Sequence, residues 1–183
     1  MWRRHAAPEG DRIASMKGGR ARRLLFGSAS TIAGTVYGTI VVMATVTAGY
    51  QGDDTDTWRL AIVVAVTVLV LWVAHLYAHV LAESIERGRR LQRAEMGAIA
   101  LREWSIPAAA GPPIAALVLA AVGVLGETAA VWLALAIGVV TLGVQGARYA
   151  SLERLGRAGT VMAIAVNLFL GLVIVGMKAL LAH

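Results

Sequence analysis

The chain has no cysteine, which excludes disulfides, thiolate metal sites and thiol redox chemistry. It is also poor in charge. Asp, Glu, Lys and Arg make up 15% of its 183 residues, against about 25% in an ordinary soluble domain. The charges that exist fall in clumps between long apolar runs. There is no Walker loop, no nucleophile elbow and no HExxH pattern, so a soluble-enzyme reading has no support and the chain is not expected to be an enzyme. A membrane-embedded enzyme acting on lipid would need a nucleophile–base pair, and none is visible.

What the chain does have is apolar length. Hydrophobic residues are 58% of it, and the mean hydropathy is +0.69. Five helices of roughly 20 residues would consume about 100 residues, leaving no room for a large soluble domain. The expected fold is all-α: a polytopic integral membrane protein of about five transmembrane helices. The runs are Leu24 to Tyr50, Trp58 to Val80, Ser105 to Leu125, Thr128 to Tyr149 and Ala158 to Leu181. Residues 1–23 are basic and irregular and read as a disordered cytoplasmic arm. Residues 24–183 read as one transmembrane domain, with a protruding helical extension at about 81–104. No internal repeat is visible, so a two-fold mechanism would need a dimer.

Fifteen of the 17 basic residues fall on one predicted side of the membrane, in the arm, between Arg87 and Arg102, and between Arg148 and Arg157. Only Arg59 and Lys178 fall on the other. The excess predicts a cytoplasmic N-terminus and an external C-terminus in the cell membrane. The net charge of +6 then points to anionic lipid headgroups rather than nucleic acid. Asp53, Asp54 and Asp56 form an acidic outer loop that would attract cations, although an exposed loop needs no such role.

The sharpest constellation is His75, His79 and Glu83 on the second span. Spacings of four and four put all three along one helical face. Two imidazoles and a carboxylate can share a divalent ion such as iron, manganese or zinc. Imidazoles also change charge near neutral pH, so the pair could relay protons instead. The plainer reading is that Glu83 pairs with Arg87 at i,i+4 and that the histidines snorkel to the interface. One helix supplies too few ligands for a closed site, and Glu95, Glu103 and Glu153 are the candidate donors on the same predicted side.

Three further features bear on a pathway. Pro112 and Pro113, with Pro107 upstream, predict a kinked or broken third span, since proline removes a backbone donor and crowds the carbonyl four residues back. Ser30, Gly34 and Gly38 form a small-residue stripe suited to close helix packing, with Tyr37 and a threonine stripe beside it. Asn167 and Gln145 are polar groups within apolar helices and suit bonds across helices.

The segment LYAHVLAESIERGRR, Leu76 to Arg90, is similar in character to the acidic end of span two in the vacuolar iron transporter family. The stretch from Gly146 to Leu181 resembles that family's connection between spans four and five. Members of that family have five spans and exchange iron or manganese for protons, and the resemblance implies a related fold and a dimer. His79 falls about where the family carries a glutamate. Span one lacks the family's acidic residue, span two lacks its methionine, and the linker is too short for its metal-binding cytoplasmic domain. The leading expectation is a small transporter or channel-like protein for a divalent cation or protons. The alternative is a membrane scaffold or accessory subunit that associates through small-residue faces and binds anionic lipid.

Overall fold

The structure is a computed structural model that describes residues 29–51 and 54–181, with side chains for residues 30–51 and 54–176. The basic arm, the start of the first apolar run, Asp53 and the Lys178 side chain lie outside these. Among the described residues six helices follow one another: α1 (Ala29–Gly49), α2 (Thr57–Glu86), α3 (Arg93–Arg102), α4 (Ser105–Ala121), α5 (Glu127–Leu152) and α6 (Arg157–Leu181). Four of them, α1, α2, α5 and α6, are long and apolar enough to cross a membrane. A fifth crossing is available if α3 and α4 form one bent unit, their axes meeting at 46°. The protein is therefore a multi-pass helical membrane protein with four to five candidate spans, and its apolar outer faces imply contact with a lipid bilayer.

The core is a seam of small and branched residues. Val42, Met43 and Val46 from α1 meet Val64 and Val68 from α2, Ile106 and Leu117 from α4, and Leu135 and Leu142 from α5. The small-residue stripe of α1 lies against α4. A Cβ on Gly38 would stand 2.5 Å from the carbonyl oxygen of Ile106, and one on Gly34 would meet the Ser105 hydroxyl. Hydrogen at these two positions is what lets the backbones approach so closely. The opposite faces, including Val66, Leu69, Val70 and Val73 of α2, are exposed, as lipid-facing residues are.

The expected protruding extension is instead a helix–turn–helix. α2 ends at Glu86, and the chain reverses through Gly88, whose φ of +61° suits a residue without a Cβ. α3 then runs back toward the bundle. Glu95 locks this turn: its carboxylate accepts from Arg89 Nη2 at 2.8 Å, Arg87 Nη1 at 2.6 Å and the Gln92 backbone N–H at 2.7 Å. The hydrogen bond from Arg89, supported by the Gln92 N–H, holds the Glu95 carboxyl at about 2, below the usual carboxylate range. Glu95 sits in the first turn of α3, beside the exposed reversal.

The helix break near the expected third span is not at Pro112 and Pro113. α4 runs uninterrupted through both, although neither can donate a backbone N–H to the carbonyls of Ala108 and Ala109. The break is at Glu103–Trp104, and Pro107 accounts for it. Pro107 has no N–H to give the carbonyl four residues back, and its ring crowds that carbonyl. That carbonyl belongs to Glu103, which accepts instead from the Ile106 N–H at 3.1 Å. α3 closes just before it, where the Glu103 N–H donates to the Ile99 carbonyl at 3.0 Å.

Candidate metal site

The buried stripe of α2 passes through Ala61, Val64 and Val68. Continued at spacings of three and four, it reaches Trp72, His75 and His79. The helix that packs its apolar stripe into the bundle thus carries both imidazoles to the same side. Nδ1 of His79 lies 3.1 Å from the carbonyl oxygen of His75. A carbonyl only accepts, so Nδ1 is the donor in this contact and Nε2 is the ring nitrogen left to meet a ligand. The two rings sit 4.5 Å apart, centre to centre.

The third member comes from the break before α4. Glu103 is buried at 4% exposure, and its Oε2 lies 3.5 Å from Nε2 of His75. Its other oxygen, Oε1, accepts from Nε of Arg102 at 3.0 Å. One ligand atom from each of His75, His79 and Glu103 falls within 4.8 Å of the other two. Burying a carboxylate is costly unless a cation or donors face it, and here the faces offered are a guanidinium and two imidazoles. This nitrogen- and oxygen-donor set suits zinc, manganese or iron(II) and offers no sulfur.

A cavity of about 460 Å³ opens on the cluster, lined by Ser30, Gly34 and Tyr37 of α1, both histidines and Glu103. The Tyr37 ring lies 6.0 Å from that of His75. Trp72 packs edge-on against Trp104 at 5.4 Å, tying α2 to the break. Nε1 of Trp72 and Oγ of Ser105 are buried with no hydrogen-bond partner among the described residues. Tyr37 also borders a second, apolar cavity of about 520 Å³, with Val36, Ile40, Tyr149 and Leu152.

Of the residues singled out from sequence, His75, His79 and Tyr37 come together. Glu83 does not join them. It pairs with Arg87, the i,i+4 partner one turn on, which draws its carboxylate toward the exposed turn. Pro112 and Pro113 lie along α4 and do not line the cavity. Asn167 is on α6, where its Nδ2 donates to the Ala163 carbonyl at 2.9 Å, and it borders a separate hollow between α5 and α6. Glu103 was one of three acidic candidates by side of the membrane alone. Its distinguishing mark in sequence is that Arg102-Glu103 is the lone charged pair between Met96 and Gly126.

Comparison of the chain with protein-family models, with curated proteins and with solved structures finds no match. The site therefore stands on its own geometry.

Proposed function

We propose that the protein is a small membrane transporter or channel-like protein for a divalent metal ion, which it binds at His75, His79 and Glu103. The observation that carries this reading is the convergence of two imidazoles from α2 and a buried carboxylate from the α3–α4 break within 4.8 Å. Ionisable groups are costly inside an apolar bundle, and where they occur they commonly mark a substrate or ion pathway. The half-buried histidine face meets Glu103 and Tyr37 from neighbouring helices, which favours a binding role over a purely interfacial one. The scaffold reading needs no such cluster.

On this reading the site lies toward the cytoplasmic side of the cell membrane, where the basic loops place it. A dimer would supply the second half that five spans lack for an inverted repeat. The topological resemblance to iron and manganese transporters agrees with the donor set, although the ligands differ.

The test is titration of detergent-solubilised protein with zinc, manganese(II) and iron(II), wild type beside His75→Ala/His79→Ala, followed by flux into liposomes. Stoichiometric binding and flux, both lost in the double variant, are expected. Wild-type binding no stronger than that of the double variant would overturn the metal reading.

A further inference from the structure

Glu103 is the only buried charged side chain among the described residues, and its two oxygens face different partners. Oε1 is held by Arg102 Nε at 3.0 Å, and Oε2 lies 3.5 Å from His75 Nε2. Arg102 is the last residue of α3, and its side chain is 47% exposed. It reaches the carboxylate from the solvent side, while the histidines reach it from the cavity side. The contact uses Nε and not the paired terminal nitrogens, so it is a single hydrogen bond and not a two-point fork. The long arginine stem can keep its charged end in water when the bond is broken.

A metal ion held by two imidazoles and Oε2 would share this carboxylate with the guanidinium. Two positive charges would then compete for one negative charge in a weakly screened setting. With Oε1 engaged by Arg102, Oε2 is the oxygen freer to meet an ion. One oxygen beside two nitrogens favours ions that take imidazole well over calcium, which takes six to eight oxygen ligands, bidentate carboxylates among them.

We propose that Arg102 competes with the bound metal ion for Glu103, and so limits how tightly the site holds the ion and hastens its release. This rests on the metal-site reading above. A carrier gains from such a device because a site that binds without a competitor releases slowly. Arg102 is here a positioning residue that acts on the ion through Glu103.

The experiment measures zinc affinity and dissociation rate on full-length solubilised protein for wild type, Arg102→Gln, Arg102→Met, Arg102→Lys, Glu103→Gln, Arg102→Gln/Glu103→Gln and His75→Ala/His79→Ala. Arg102→Gln and Arg102→Met are expected to bind zinc at least about tenfold more tightly, because a positive charge beside the ion is removed, with slower release. Arg102→Lys keeps the charge and should stay near wild type. In the Glu103→Gln background, removing Arg102 should change nothing, which a general effect on stability would not reproduce. Unchanged or weaker zinc binding by both neutral variants overturns the proposal, as does tightening that persists without Glu103. If wild type binds zinc, the double-histidine variant does not, and Arg102→Gln matches wild type, then only the role of Arg102 fails. If wild type binds no zinc, the metal-site reading fails and this proposal falls with it.

Discussion

Nε2 of His75 faces Oε2 of Glu103 at 3.5 Å, although a reversing turn and a whole helix separate the two in the chain. The pairing exists because α2 and α4 pack together and because Pro107 turns the chain at Glu103.

Glu103 and Glu83 should separate cleanly. Glu103→Gln is expected to weaken zinc or manganese binding by at least about 100-fold, the upper end of what a metal ligand's outer partner costs. Glu83→Gln should leave affinity within about twofold while loosening the turn near Arg87. Isothermal titration of both variants decides which carboxylate belongs to the site.

Pro107→Ala restores a donor for the Glu103 carbonyl and removes the ring that crowds it. The α3–α4 joint should straighten and carry the carboxylate away from the histidines. Metal affinity is expected to fall about tenfold or more with helix content unchanged or higher. Circular dichroism alongside titration separates this from unfolding.

Gly38→Val places side-chain atoms where the Ile106 carbonyl stands 2.5 Å from a built Cβ. Backbone cannot move aside as a side-chain tip would, so α1 and α4 must separate. A loss of about 1–3 kcal/mol is expected, typical of overpacking, read as a lower unfolding midpoint in detergent. Gly111→Ala, with nothing within 4 Å of its built Cβ, is the control.

The Glu95 lock has a defined acid limit. Its carboxyl is held at about 2, below the ordinary 4.5. A lowered carboxylate pKa contributes stability that is fully present above the unfolded value and is lost as pH falls through the folded one. The turn at residues 87–92 should therefore stay closed at pH 5 and open progressively as pH falls from about 4.5 toward about 2. Hydrogen exchange at these amides, corrected for intrinsic rates, should show the change, and Glu95→Gln should open the turn at neutral pH.

The helices that cross were legible because long apolar runs bounded by charge leave little choice, and His75 and His79 were legible because a spacing of four declares a shared face. The third member of the cluster was not. Glu83 completes the periodic pattern, but on an exposed helix end a carboxylate pairs with the nearest guanidinium, here Arg87. Glu103 enters only through contact between helices, which no local period encodes. The prolines gave a true signal at the wrong place. Two adjacent prolines look like the stronger breaker, yet the single Pro107 acts where α3 has just ended, and there its missing donor decides the direction of the chain.

The length of α2 carries one more consequence. Its 30 residues span about 45 Å, against about 30 Å of hydrocarbon. Set with Thr57 at one boundary, the helix uses up that thickness after about 20 residues, close to Leu76. His75 then stands at the rim of the oily layer, and His79 stands one turn out among the headgroups. On the metal-site reading, a divalent ion would meet this pair while still hydrated, and could exchange water for imidazole before it meets the carboxylate of Glu103.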